Sequence, residues 1–178
     1  MDGLSDAELV SRVLEGDVDV YRLLVERYRL EFGRYATAML GGDTDDAADA
    51  LQEAFIRAFE SLASCRDPSK FKAWLFRIVS NQCHNWRRRR RNHLPLERIA
   101  SEANEAADED LHNQEIRQTI EAALNDLTDE QREAFVMKHV EGRSYSEMSE
   151  LLGVGEDALK MRVYRARDEL KERLEKLQ

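Results

Sequence analysis

Proline, glycine and cysteine are scarce in this chain of 178 residues, which contains two, eight and two of them. Few prolines and glycines favour a helical fold over an all-β fold. Cys65 and Cys83 have neither the spacing of a metal site nor the number that a disulfide framework requires. We therefore expect two reduced thiols, no metal ligands, no catalytic residues and no cofactor.

Long hydrophobic runs are also missing. No apolar segment approaches the roughly 18 residues that a membrane span needs. The N-terminal residues 1–10 are acidic and lack the apolar segment of a signal peptide. These features predict a cytoplasmic protein without membrane insertion.

Charge is abundant, and its distribution is uneven. Charged residues make up 35% of the chain and the net charge is -9, so the total charge does not indicate a nucleic-acid-binding protein. Basic residues nevertheless cluster in two places. One cluster is Arg87 to Arg91, and the other comprises Lys160, Arg162, Arg165 and Arg167.

Apolar residues recur at helical spacing on both sides of an acidic segment. Helix boundaries are indicated by the capping-box spacing of Ser5 and Glu8 and by Gly41–Gly42 before Asp43 or Thr44. The predicted apolar faces contain Leu9, Val13 and Leu14; Leu24, Tyr28, Phe32, Tyr35 and Met39; Leu51, Phe55, Phe59 and Leu62; Phe71, Trp74, Leu75, Ile78 and Val79; Ile116, Ile120, Leu124 and Leu127; and Leu159, Val163, Ala166, Leu170, Leu174 and Leu177.

The acidic segment divides the chain. Between Pro95 and Glu115 there are seven acidic residues, a single base, Arg98, and no aromatic residue. Such a composition cannot bury enough apolar surface to offset its loss of conformational entropy. We predict an all-α protein with two small helical domains, 1–93 and 116–178, joined by a flexible acidic linker, 94–115.

The second domain contains a helix-turn-helix pattern. A short helix after Ser144 is followed by Gly153, which can adopt a left-handed conformation, and by a longer basic helix. Such a second helix can enter the major groove of DNA. An ordinary helical hairpin with a solvated basic face remains open, because Glu156 and Asp157 would repel phosphates near the start of that helix.

The arginine run directly follows a helix that carries Phe71, Trp74, Asn81, Asn85 and Trp86. Five consecutive arginines can neutralise several phosphates, while exposed aromatics and amides can stack on and hydrogen-bond to unpaired bases. For Phe71 and Trp74, the favoured alternative is a position in the core. The arginine run and the basic helix of the second domain would be joined by one linker. Once one of them binds DNA, the linker raises the effective concentration of the other near the DNA, which increases the overall affinity.

These segments, in this order, resemble the extracytoplasmic-function sigma factors, the smallest class of the sigma-70 family. Residues 46–55 resemble region 2.2, and residues 71–78, with Asn81 and the arginines, resemble regions 2.3 and 2.4. Residues 127–132 and 144–148 resemble regions 4.1 and 4.2, and residues 160–167 resemble the recognition helix. The resemblance extends from about Leu4 to Leu174 and implies a non-catalytic protein that directs RNA polymerase to promoters.

The resemblance also implies roles for individual residues. The clamp helices of the largest polymerase subunit would bind Asp46, Asp49, Gln52 and Glu53. The -10 promoter element would contact Arg66, Lys70, Phe71, Trp74, Arg77, Asn81, Asn85, Arg87, Arg88, Arg89, Arg90 and Arg91. The -35 element would contact Arg143, Lys160, Met161, Arg162, Tyr164 and Arg165.

Further partners follow from the same resemblance. The second domain would contact the flap of the second-largest subunit, and an anti-sigma factor would cover both polymerase-binding faces. The chain departs from the family pattern at Ala48, Ser149, Ala158 and Met161, so its promoter sequence cannot be transferred from better-known members.

Two other functions stay open. A conventional transcription regulator would bind duplex DNA through its C-terminal helices without polymerase. A nucleic-acid enzyme would need Asp43, Asp45, Asp46 and Asp49 as metal ligands, although the sequence offers no accompanying nucleophile or base.

Overall fold

The computed structural model describes residues 3–93 and 120–175, in which every regular element is helical. This confirms the predicted all-α fold. The predicted linker, Ile116 and Leu177 lie outside the described residues. The principal helices are α1 (Asp6–Leu14), α2 (Tyr21–Met39), α3 (Thr44–Glu60), α4 (Phe71–His93), α5 (120–126), α6 (Asp129–Phe135), which continues into a π-helical turn (Val136–Val140), α7 (Tyr145–Leu152) and α8 (Glu156–Glu175).

Side-chain caps explain where several helices begin. Ser5 and Glu8 form the predicted capping box at α1, and Ser144 and Glu147 form another at α7. The Asp43 carboxylate accepts a hydrogen bond from the Asp46 backbone N–H at 3.0 Å and caps α3. Each cap satisfies an N–H group that the first helical turn leaves unpaired, so these boundaries are encoded locally.

The apolar faces of the first four helices enclose a core. Leu24, Tyr28, Phe32, Tyr35 and Met39 are all buried, as their spacing predicts. Two expectations are wrong at the edges of the faces. Leu14 and Phe59 are exposed: Leu14 is the last residue of α1, and the preceding residues, Val13 and Ala58, are the buried ones.

Helix α4 extends further than the sequence pattern indicates. The arginine run does not follow the helix but forms part of it, since α4 continues to His93. Each residue of an α-helix is rotated by about 100° from the one before. The five arginines therefore point in different directions instead of forming one continuous basic surface.

The C-terminal helices form the predicted helix-turn-helix. Helices α6 and α8 pack together, and α7 contacts α8 across the turn at Gly153. On α8, Leu159, Val163, Ala166 and Leu170 are buried. Leu174, at the far end of the same face, is 36% exposed and only borders the core.

The two helical sets share part of their core. One hydrophobic cluster contains Phe76 and Cys83 of α4 together with Met137, Met148 and Leu159 from the C-terminal helices. Helix α7 packs against α4, and the π-helical turn packs against α2. The division into domains 1–93 and 116–178 stays a prediction, and in this arrangement the two sets are not separate bodies.

Within the described residues, no helix combines the length and the low charge that crossing a lipid bilayer would require.

Gly153 has the left-handed conformation that the sequence predicts, with φ of 68°. A Cβ atom there would also lie 2.9 Å from Nη2 of Arg77.

We expect Gly153→Ala to lower the free energy of unfolding by about 1–2 kcal/mol. Gly33, inside α2, has space for a methyl group, so Gly33→Ala should raise that free energy by about 0.5–1 kcal/mol. Urea denaturation measures both, and equal effects of the two substitutions would contradict this account.

Candidate nucleic-acid interface

Helix α8 presents an exposed polar face beside its buried one. Lys160, Met161, Tyr164 and Arg165 are exposed, with 49% of Met161 and 64% of Tyr164 accessible. Single exposed apolar side chains are ordinary, but Met161 and Tyr164 lie three positions apart on the same face as two basic residues. The exposed face matches four of the residues predicted to contact a -35 element.

An acidic residue in the first turn of α8 forms a hydrogen bond with a basic residue of the exposed face. Lys160 donates a hydrogen bond to Asp157 at 3.0 Å, and this hydrogen bond raises the pKa of Lys160. Arg162 lies half-buried and pairs with Glu130 of α6 at 3.2 Å. Lys160 and Arg165 are therefore better placed than Arg162 to reach a ligand.

The arginines of α4 have different environments. Arg88 and Arg89 are exposed, and Arg90 pairs with Asp43 and Asp46 at 2.7 and 2.9 Å. Arg87 has only 5% of its side chain exposed, and burial lowers its pKa to about 10. Contact between the arginine run and phosphates stays a prediction, and Arg87 is the least accessible of the five arginines in this arrangement.

The other residues predicted to contact a -10 element divide by exposure. Arg66, Lys70, Arg77 and Asn81 are exposed, and Trp74 and Asn85 are half-buried. Phe71 is fully buried and packs against the ring of Tyr28, with centroids 6.0 Å apart. Phe71 therefore lies in the core, which is the alternative that the sequence favoured, and its contact with the -10 element stays a prediction.

Helix α3 carries the residues predicted to bind polymerase. Asp49 and Gln52 are exposed, whereas Asp46 pairs with Arg90 and Glu53 lies 4.0 Å from Arg89. The predicted polymerase-binding and DNA-binding residues are thus adjacent.

An apolar groove that the sequence did not reveal runs between α2 and α3 beside Gln52. It is lined by Tyr21, Val25, Ala48, Leu51, Phe55, Ile56 and Phe59.

Arg143 does not belong to the exposed face of α8. Only 11% of its side chain is exposed, and it pairs with Glu141 at 2.6 Å and with Glu31 of α2 at 3.1 Å. Its guanidinium also lies over the ring of Phe76. The contact between Arg143 and DNA stays a prediction, and in this arrangement the two glutamates neutralise the charge of Arg143.

A polar cluster that the sequence does not reveal lies between the helical sets. Glu133 of α6 is buried, and its carboxylate accepts hydrogen bonds from the hydroxyls of Tyr35, at 2.6 Å, and Ser80. The nearby Cys83 thiol has its pKa raised to about 12, mainly by burial. Periodicity places Tyr35 on a buried face but does not reveal its pairing with Glu133, because the two residues lie 98 positions apart in the sequence.

The acidic residues considered as metal ligands have other partners. Asp43 caps α3, and both Asp43 and Asp46 pair with Arg90. Among residues 3–93 and 120–175, no group of three potential ligands could hold a metal ion.

Comparison with protein families gives two matches in the order that the motifs predict. Residues 24–93 match the model of sigma-70 region 2, and residues 117–170 match that of sigma-70 region 4. An ECF RNA polymerase sigma-E factor of Haemophilus influenzae is 28% identical over 98% of this chain and 97% of its own length. The sigma-E factor of Escherichia coli is 29% identical, covering 98% and 96% of the two chains.

Two solved structures are similar over most of the chain. CnrH in complex with the cytosolic domain of CnrY has a TM-score of 0.62 and 26% identity, covering 96% of this chain and 97% of CnrH. The sigma factor RpoE of Bartonella quintana, solved with the anti-sigma factor NepR, has a TM-score of 0.56 and 28% identity, covering 87% and 96%. With two sigma-70 regions in order and full-length similarity to ECF factors, the chain belongs to the sigma-70 family and is a non-catalytic RNA polymerase sigma factor of the extracytoplasmic-function class.

Proposed function

We propose that this sigma factor recognises two promoter elements with two different helices. Helix α8 would read the -35 element as duplex DNA, and α4 would hold the melted -10 element. Core RNA polymerase performs the catalysis, and binding energy from the captured single strand helps to open the duplex. The units would be residues 1–93 and 116–178 joined by the linker 94–115, in keeping with separate matches to regions 2 and 4.

The observation that carries the proposal is the two-sided character of α8. Leu159, Val163 and Ala166 anchor the helix, while Lys160 and Arg165 extend from its exposed face. A rigid helix with basic side chains on one face suits the major groove, where lysine and arginine bind guanine and phosphates. Met161 and Tyr164 add apolar surface that can contact thymine methyl groups.

The -10 contact is assigned to the exposed residues of α4 and the loop before it. Arg66, Lys70, Arg77 and Asn81 offer positive charge and amide groups, and half-buried Trp74 offers a ring edge. Single-strand binding commonly combines cationic grooves with stacking side chains. Arg88 and Arg89 extend this surface toward neighbouring phosphates.

Docking on polymerase is assigned to α3. Asp49 and Gln52 are its most accessible predicted contacts, and the apolar groove beside Gln52 enlarges the surface. The C-terminal unit would contact the flap of the second-largest subunit. We further propose a cytoplasmic location and control by an anti-sigma factor, since RpoE of Bartonella quintana was solved with one.

Run-off transcription from a random promoter library tests the proposed function. Core polymerase free of sigma factors is mixed with the full chain, and transcripts are sequenced. We expect start sites downstream of two sequence motifs at constant spacing. A core enzyme that stays unable to select promoters would overturn the proposal.

A gel shift without polymerase distinguishes a sigma factor from a conventional transcription regulator. A sigma factor should bind specific duplex weakly by itself, because its binding surfaces are completed by polymerase. Tight, sequence-specific binding of the isolated chain, with no effect on core polymerase, would favour a conventional regulator.

A further inference from the structure

A cavity lies where the loop between α2 and α3 meets α4 and α5. Its volume is about 680 Å³, which is within the range of small-molecule sites in proteins. The cationic side chains that line it are Arg87, Arg90 and Arg91 of α4. Guanidinium groups bind phosphate groups well, because each presents several N–H donors in one plane to the phosphate oxygens.

Arg87 is the most enclosed of the three arginines. Only 5% of its side chain is exposed, and its Nη2 atom is buried without a hydrogen-bond partner among residues 3–93 and 120–175. A buried donor without an acceptor is costly, and the cost is larger when the group carries a charge. An anion in the cavity would lie beside this guanidinium and offset its positive charge.

Arg87 and Arg91 share a single carboxylate. Nη1 of Arg87 and Nη2 of Arg91 both donate hydrogen bonds to Oδ1 of Asp129, at 2.7 and 2.5 Å. Two positive charges therefore face one negative charge. Burial lowers the pKa of Arg87 to about 10, and repulsion from Arg132 lowers it further. This local excess of positive charge favours the entry of an anion.

The acidic residues that line the cavity are Asp43, Asp45 and Glu121. The Asp43 carboxylate accepts a hydrogen bond from Arg90 at 2.7 Å, and the Glu121 carboxylate accepts one from Arg132 at 2.8 Å. Asp45 is exposed in the first turn of α3. Two of the three carboxylates are thus neutralised by a guanidinium group, which leaves the unmatched positive charge on the other two arginines of the cavity.

We propose that this cavity binds a phosphate-bearing small molecule, with Arg87 and Arg91 as its principal contacts. The phosphates of a DNA strand have the same chemistry, but the enclosure of Arg87 favours a ligand that is small enough to enter the cavity. The inference goes beyond the proposed function and does not require that α4 contacts the -10 element.

The test is a calorimetric titration of the full-length chain with pyrophosphate at fixed ionic strength. Two variants change the site. Arg91→Gln removes the charge of a half-exposed side chain, and Arg87→Lys keeps the charge but loses the planar set of donors. Arg89→Gln is the matched control, because Arg89 is exposed on the same helix and is not among the residues that line the cavity.

We expect the natural chain to bind one pyrophosphate in a saturable manner. Both Arg91→Gln and Arg87→Lys should weaken the affinity by about tenfold or more, because each removes a charge-assisted hydrogen bond. Arg89→Gln should stay within about twofold of the natural chain. The absence of saturable binding to the natural chain would overturn the inference, as would an equal loss in the control. If Arg87→Lys does not fold, Arg91→Gln alone decides the outcome.

A competition experiment separates the two sources of phosphate. The titration is repeated with a saturating single-stranded oligonucleotide, and we expect an unchanged affinity for pyrophosphate. Displacement of pyrophosphate by the oligonucleotide would assign the cavity to DNA and overturn the inference. Run-off transcription is a separate measurement: a natural chain that binds pyrophosphate but does not direct transcription would lose only the proposed function.

Discussion

The double variant Lys160→Ala/Arg165→Ala is expected to lose about 2 kcal/mol or more of promoter-binding free energy, or about 30-fold in promoter-specific transcription. Both side chains are exposed on α8, where Lys160 forms a surface pair with Asp157 and lies 6.0 Å from the ring centroid of Tyr145. Pairs of that kind contribute little, so their loss leaves the fold intact. The expected defect is therefore in DNA recognition.

Run-off transcription at subsaturating sigma factor measures the effect, with circular dichroism confirming the helical content. Lys171→Ala is the matched control, because Lys171 is exposed on the same helix and pairs with Glu175. If Lys171→Ala proves as damaging as the double variant, the assigned recognition face is wrong. Loss of sequence preference together with loss of activity would identify base contacts as well as phosphate contacts.

The largest expected effect on stability comes from Phe76→Ala. Phe76 is fully buried, with its ring centroid 4.7 Å from that of Tyr35 and 5.4 Å from that of Phe32. Removing such a side chain costs about 3–5 kcal/mol through lost transfer free energy and the cavity that remains. That loss is a large part of the 5–15 kcal/mol that typically stabilises a domain.

Urea denaturation compares this variant with Phe59→Ala, in which the same side chain is removed from a position that is 42% exposed. We expect the control to lose about 1 kcal/mol or less. Phe76→Leu, with a smaller change in volume, keeps the comparison measurable if the alanine variant is unfolded. Equal losses at positions 59 and 76 would contradict the placement of Phe76 at the centre of the core.

The local features of the fold were predictable from short stretches of sequence. Ser5 with Glu8, and Gly153 at φ of 68°, act on neighbours within about four residues. The buried face of α8 follows directly from helical periodicity. The exposed positions of Lys160, Met161, Tyr164 and Arg165 follow from the same pattern, because residues that do not face the core face the solvent.

The arginine run shows where such reasoning stops. Five consecutive arginines identify a basic segment, but once the segment is helical, neighbouring elements decide the environment of each side chain. Arg90 turns toward α3, Arg87 and Arg91 turn toward α6, and Arg88 and Arg89 stay exposed. Helical spacing is compatible with either a buried or an exposed position for Phe71. Only the packed structure shows that Phe71 is buried, unlike the candidates that stay exposed.

By itself, the sequence determined the all-α fold, most helix boundaries, the exposed face of α8 and the family motifs, because each depends on residues close together in the chain. Only the tertiary structure decided that the two helical sets share a core and that acids of one set bind hydroxyls and arginines of the other. The pairs Arg87–Asp129, Tyr35–Glu133 and Arg143–Glu31 join positions 42, 98 and 112 residues apart. Periodicity describes one helix at a time, and such pairings exist only after packing has chosen which faces meet.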